Sequence, residues 1–363
     1  MNLKPRILDY YISKKFILTF FVSLILIIGI VIIFDISEKI NSFVENQAPL
    51  YDIVFKYYLN FIPYFVNMFS PLFVFITVIF FTSRMAENSE IIAILSGGVS
   101  FNRMMVPYMA SAVLIAIMSL GLNIFIIPQS NKVRIQFEAK YIKRHNVFKH
   151  SNIHYQTAPG EFVYVENFSD WNKTAYNFTI ENIEGNRIKR KLSADSAVWD
   201  STSGSWHLRN YFIREFTGAI SDRVRSGAAM DTLIALKIED FYHNEKTVET
   251  QTMYELDRLI KTQKMRGDAG VVYAQIEKHT RLAMPFSAII LTIIGVSLSS
   301  RKRRGGLGWN IAFGIALAFT YILFLRFSQM FVFGGLLPPW IALRIPNIIY
   351  AGIAVFLYLR APK

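Results

Sequence analysis

The chain alternates long apolar runs with short polar connections, and one block breaks that alternation. From about Gln129 to Met265 it is charged, rich in Asn, Thr, Ser and Tyr, and patterned at period two; three apolar runs precede the block and three follow it. A helix needs about 20 apolar residues to cross the hydrocarbon core of a bilayer. The pattern therefore predicts an α-helical membrane protein with six transmembrane helices (3 + 3) and an inserted all-β domain. The boundaries are 1–128 for helices one to three, 129–265 for the inserted domain and 266–363 for helices four to six.

The first run, Phe16–Phe34, follows Lys4, Arg6, Lys14 and Lys15. It is too long for the apolar core of a signal peptide, and Phe34-Asp35-Ile36-Ser37-Glu38 offers no small-residue cleavage site, so it reads as an uncleaved span. The loop after it sets Asp35, Glu38, Glu45 and Asp52 against Lys39 and Lys56 and is net acidic. Basic residues concentrate on the cytoplasmic side, which places the N-terminus inside and this loop outside. The second run, about Leu59–Thr82, contains Pro63 and Pro71, tolerated where neighbouring helices re-satisfy freed backbone groups. The connection Ser83–Arg103 is then cytoplasmic, and the third run, Met104–Ile127, carries the chain out again. Runs four to six are Leu282–Leu298, Trp309–Phe333 and Ile345–Tyr358. Arg301-Lys302-Arg303-Arg304 after the fourth, and Arg360 and Lys363 after the sixth, give the same orientation, with both termini cytoplasmic.

Within the central block, Phe162–Phe168 and Tyr176–Ile180 alternate apolar and polar residues as half-buried strands do. Ala197-Val198-Trp199 and Trp206-His207-Leu208 flank a turn-rich connector, Asp200–Ser205. Short strands at about ten-residue spacing predict an antiparallel sandwich or barrel-like sheet. Lys132–His150 reads as helix continuing out of the membrane.

Composition sharpens this picture in two places. The apolar fraction of 53% is concentrated in blocks, which a bilayer accommodates more readily than a soluble core of this size. The formal charge of +13 is what cytoplasmic Lys/Arg clusters of a membrane protein produce, so nucleic acid is not an expected partner. With no cysteine, disulfides, thiolate catalysis and Cys-ligated metals are excluded.

No catalytic set emerges: there is no Walker-type glycine loop, His-Glu-x-x-His or Gly-x-Ser-x-Gly. The histidines, at 145, 150, 154, 207, 243 and 279, are scattered, and no metal or other cofactor is expected. Two constellations carry more content. In the connection from Glu87 to Gly98, Ser89 or Asn88 is a candidate cap for a short helix. Glu90 falls in its first turn, where the helix dipole favours a carboxylate. Ile91, Ile94 and Leu95 share one face and Gly97-Gly98 ends the helix. Such a helix either lies on the bilayer surface or presses into a groove on a cytoplasmic motor. The second constellation is a set of basic residues near the outer surface: Lys39, Lys278, Arg281, Arg326 and Arg344. They snorkel or pair with Asp35, Glu38 or Glu277, or they form a rim that grips the phosphates of an amphiphile. Arg326 stands inside the fifth span, where an ionisable residue is a site hypothesis by default.

In these motifs the chain resembles the LptF/LptG permease family, the membrane subunits of the lipopolysaccharide export transporter. The resemblance is carried by Asp35–Lys39, by Ser89-Glu90-Ile91-Ile92-Ala93 running to Gly97-Gly98-Val99-Ser100, and by Phe162–Glu166. Arg281–Pro285, Arg304–Gly308, and Leu337-Pro338-Pro339 with Ile345-Pro346-Asn347 complete it. It implies a β-jellyroll in the periplasm, multi-pass placement in the bacterial inner membrane, and pairing with a paralogous six-span permease around a cavity. It also implies a cytoplasmic ATPase dimer that binds ATP and grips the connection helix through Glu87, Glu90, Ile91, Ile94, Leu95 and Gly97. Lipopolysaccharide would enter between spans one and five and pass to periplasmic bridge and membrane-anchored jellyroll proteins. Lys39 falls where family members place basic residues against lipid phosphates, whereas Arg344 stands where the family often has an aromatic residue. Two rival readings remain open at the level of sequence. One is a membrane-anchored scaffold whose β-domain binds a partner without transport. The other is a lipid-modifying transferase, which would need acidic or His clusters at the membrane face.

Overall fold

The computed structural model describes residues 7–142, 150–169, 172–185, 187–201, 203–217, 222–234, 236, 245–268, 270–300 and 306–361. The chain forms two compact units. One comprises Met1–Ile142, Glu249–Met253 and Gln275–Lys363; the other comprises Lys143–Val248 and Tyr254–Ala274.

The first unit is helical. Helix α1 (Ile7–Glu45) is followed by a π-helical segment, Asp52–Tyr58, that runs directly into α2 (Leu59–Glu87). A short helix, α3 (Glu90–Ser96), leads to α4 (Phe101–Gly121), and a second π-helical segment (Leu122–Ile126) joins α4 to α5 (Ile127–Tyr141). After the second unit come α8 (Val271–Ser299), α9 (Gly306–Phe333), the single turn α10 (Pro339–Ala342) and α11 (Ile345–Leu359). Six helical stretches are long and apolar enough to cross a membrane: Ile7–Glu45, Asp52–Glu87, Phe101–Tyr141, Val271–Ser299, Ile311–Phe333 and Pro339–Leu359. Five contain one of the apolar runs whole, and Ile311–Phe333 contains all of the fifth run but its first two residues. The basic cluster at 301–304 lies outside the described residues.

Packing follows the side-chain periodicity. On α1, Ile12, Phe16, Phe20 and Leu24 recur every fourth residue and are buried against α2 and α4. The rest of that helix is uncovered: only 17% of its apolar window is buried, and 28% for α9, against 61% for the α2 span and 67% for α8. Helices α2 and α9 pack closely, because Gly314 has no side chain; a Cβ there would lie 2.2 Å from Ile79 Cδ1. Small residues allow such close approach between membrane helices, where apolar burial gives no net drive. A buried polar triad adds directionality: Ser119 Oγ donates to Asn67 Oδ1 (2.6 Å) and Asn67 Nδ2 donates to Asn123 Oδ1 (3.0 Å).

The second unit holds a six-stranded antiparallel sheet: β1 (His150–Ala158), β2 (Glu161–Ser169), β3 (Thr174–Glu184), β4 (Arg187–Asp200), β5 (Ser205–Glu215) and β6 (Arg223–Thr232). The predicted strand segments fall in β2 to β5. The Asp200–Ser205 connector makes the β4–β5 hairpin, where Ser203 Oγ donates to Asp200 Oδ2 (2.7 Å). Val163, Val165 and Phe168 of β2 share one core with Phe178, Leu192, Trp206, Leu208 and Ile213. Tyr155 of β1 belongs to the same core, and Met230 of β6 packs against it. A single sheet whose first and last strands reach one core must curl around it. Pairing joins only strands adjacent in sequence, and the crossed connections of a jellyroll do not occur among the described residues. Helices α6 (Glu245–Val248) and α7 (Met253–Arg266) follow the sheet. The helix predicted over 132–150 is seen as α5 to Tyr141; residues 143–149 lie outside the described residues.

Candidate functional site

Helix α3 begins at Glu90, as the sequence predicts, but its start is built differently. Ser89 is in the left-handed region (φ 61°) and makes no side-chain cap. Asn88 Nδ2 instead donates to Glu90 Oε1 at 3.4 Å. At the other end Gly97 closes the helix and Gly98 takes a φ of +84°, a conformation that only glycine adopts without strain. The predicted apolar face turns inward. Ile91 is fully buried, and Ile94 and Leu95 pack on the core of α1, α2 and α4. These side chains hold α3 onto its own unit, with Ile94 and Leu95 only partly buried there. The uncovered face carries Ile92, Ala93 and Ser96, with Ile92 52% exposed; Glu87, the last residue of α2, and Gly97 are exposed beside it.

How firmly this connection is tied to α1 is not visible in the sequence. Tyr11 Oη donates to Glu90 Oε2 at 2.9 Å, and the Lys15 ammonium donates to Tyr11 Oη and sits over its ring. Arg103, in the first turn of α4, grips Asp9 through both guanidinium nitrogens (2.6 and 2.5 Å). Ser13 Oγ donates to the Pro107 carbonyl, and Tyr358 at the end of α11 donates to Asn102 Oδ1 (2.7 Å). The start of α1 is therefore bonded to the residue that opens α3 and to the helix that follows it.

The five basic residues of the predicted rim divide by environment. Lys39 pairs with Asp35 (2.5 Å) and donates to the Tyr57 hydroxyl; the Tyr58 hydroxyl also donates to Asp35 (3.1 Å). Arg281 is 2% exposed and fully engaged. Its Nε donates to Glu277 Oε1 (2.6 Å), Nη1 to the Gln251 carbonyl (2.7 Å) and Nη2 to the Glu249 carbonyl (3.0 Å). Arg281 is thus tied to its own helix through Nε and to the returning 249–251 segment through Nη1 and Nη2. Lys278 is half-buried on the same helix. Arg326 is exposed on α9 and donates to Gln329 Oε1 (3.3 Å). Arg344 is exposed at the start of α11, beside His279 of α8. Pairing with Asp35 and Glu277, the plainer of the two sequence readings, is realised at Lys39 and Arg281.

Sequence reasoning missed a second charged group. Arg134 of α5 is 8% exposed and lies over the Tyr64 ring (4.8 Å). It is 3.6 Å from Glu249 and 3.8 Å from Glu138, and Tyr64 Oη donates to Glu249 Oε1 at 3.4 Å. With Arg281, this group fixes the segment through which the chain returns from the sheet. Its one legible signal is an Arg and a Glu four residues apart, Arg134 and Glu138, which an amphipathic helix would normally expose.

Of the histidines, His154 stacks on Tyr164 (4.6 Å between centroids) and His207 pairs with Asp231. Among the described residues no three His, Asp or Glu side chains converge as a metal site.

Six apolar helices, an inserted antiparallel sheet and a short helix bonded into the first span define a multi-pass membrane protein whose polar contacts hold helices together. Residues 10–360 match the family described as lipopolysaccharide export system permease LptF/LptG, and the chain belongs to that family. No curated protein matches the chain.

Proposed function

We propose that this chain is the permease subunit of an ABC-type transporter. It extracts lipopolysaccharide from the inner membrane and passes it to a periplasmic bridge. Family membership supports the cargo. A separate cytoplasmic ATPase dimer binds and hydrolyses ATP, and a paralogous six-span permease completes the cavity. Periplasmic bridge and membrane-anchored jellyroll proteins receive the lipid. Both termini are cytoplasmic and the sheet unit is periplasmic, in line with the basic clusters of the sequence.

The observation that carries this reading is the bonding of Glu90 to Tyr11. A helix that merely lies on a membrane surface needs no tie to the first span. Here α3 offers Ile92, Ala93 and Ser96 outward beside Glu87 at the end of α2, while its inner face and Glu90 are joined to α1. Force applied to α3 is delivered to α1, the least covered of the spans. Helices α1 and α9, with their uncovered apolar faces, are suited to line a lateral route and a partner's helices. Arg326, exposed on α9, serves as a cationic contact for the lipid phosphates; Lys39 serves only if a phosphate displaces it from Asp35.

Co-purification tests the proposal. The chain, tagged and extracted from its own membranes, is expected to bring an ATPase and a second six-span chain. The complex in liposomes should release lipopolysaccharide to an acceptor only with ATP. Purification as a single chain bound to a soluble periplasmic protein would favour the scaffold reading.

A further inference from the structure

A groove of about 370 Å³ runs between α8 and α11, and no residue of α1 or α9 lines it. The two helices are held at a fixed spacing by Asn347. Its Nδ2 donates to the Ala283 carbonyl (2.9 Å) and its Oδ1 accepts from Tyr321 (2.7 Å). Leu282, Phe286 and Ile290 form one wall, successive turns of the same face of α8. Ile348 and Ala351 of α11 form the other. The walls are uncovered: Phe286 is 61% and Ile348 65% exposed.

The two ends of the groove differ in chemistry. Arg344 and His279 stand at one end, and the rest of the lining, Asn347 aside, is apolar. From His279 to Ile290 the groove follows α8 for about 16 Å at about 1.5 Å per residue. Among the described residues Arg344 has no carboxylate or side-chain hydrogen-bond partner, so its guanidinium is a permanent charge aimed at whatever fills the groove. Guanidinium pairs with phosphate through two parallel hydrogen bonds.

We infer that this groove is a site for a resident diacyl phospholipid, distinct from the exported cargo. Its phosphodiester is held by Arg344 with the His279 ring as neighbour, and one acyl chain lies between α8 and α11. The inference rests on the spans being membrane helices and is independent of the transport reading.

Native mass spectrometry of the detergent-purified protein tests it, with phosphatidylglycerol as probe and diacylglycerol of the same chains as control. Wild-type protein is expected to retain phosphatidylglycerol and not diacylglycerol. Arg344→Ala should reduce retention about tenfold, as loss of a charge-assisted pair does, and Arg344→Lys should recover part of it. Ala351→Trp, which fills the groove, should do the same as Arg344→Ala without touching the charge. Equal retention by wild type and both blocking variants would overturn the site. So would equal retention of the two lipids, or displacement of phosphatidylglycerol by added lipopolysaccharide, which would make the groove a cargo site.

Discussion

Tyr11 Oη donates to Glu90 Oε2 at 2.9 Å, joining residues 79 positions apart in the chain. This bond ties α1 to the opening residue of α3, and the Asp9–Arg103 pair ties the same stretch of α1 to α4. Tyr11→Phe removes the hydrogen bond to Glu90 and the one accepted from Lys15, each worth about 1 kcal/mol, and leaves the ring in place. The expected outcome is a melting temperature lowered by at most a few degrees with a several-fold fall in lipopolysaccharide released per ATP hydrolysed. Measuring both quantities in liposomes separates coupling from folding. An unaltered ratio would mean that Tyr11 merely packs.

Arg281 makes the opposite kind of prediction. Removing a buried guanidinium strands Glu277 and two carbonyls, and breaking a buried ionic group of this sort costs about 3–5 kcal/mol. Arg281→Ala should lower the melting temperature of the detergent-solubilised protein by several degrees. Arg281→Lys should rescue little of this, since one ammonium cannot serve three acceptors in a fixed fork. Were Arg281 a lipid-phosphate contact, stability would stay put and lipid binding would fall.

Gly314 tests the contact of α2 with α9. A Cβ there meets the far end of the Ile79 side chain, so Gly314→Ala requires only a shift of that side chain. Gly314→Leu overpacks, at a cost of about 1–3 kcal/mol. Combining it with Ile79→Ala should restore most of the lost stability, read as melting temperature. Additive losses in the double variant would show that the two residues do not share this space.

Much of this was legible in the sequence, for physical reasons that differ between the units. Six spans are visible because each needs a run as long as the bilayer is thick, and strands β2 to β5 because half-buried strands alternate. The short helix at Glu90 was legible from its charge and its glycines. The direction of its apolar face was not, because Ile91, Ile94 and Leu95 look the same whether they meet their own core or a partner. The rim was legible as positive charge but not as contacts. Lys39 and Arg281 find partners through tertiary packing: Tyr57 lies beyond a loop, and Gln251 and Glu249 are 30 and 32 residues from Arg281 in the chain. Asp9 with Arg103, and Arg134 with Glu249, are 94 and 115 residues apart, and no local spacing pairs them. The sheet order escaped prediction in the same way, since alternation marks a strand without naming its neighbour.

The most direct test of the account is a substitution at Glu90 in the complete complex. With Glu90→Ala, the account predicts that the partner ATPase still binds and hydrolyses ATP while lipopolysaccharide release to an acceptor falls at least tenfold. Glu90→Gln, which keeps an acceptor for Tyr11, should retain more release than Glu90→Ala. Release at the wild-type rate with Glu90→Ala, in complex of normal composition, would contradict the claim that energy reaches the permease through α3.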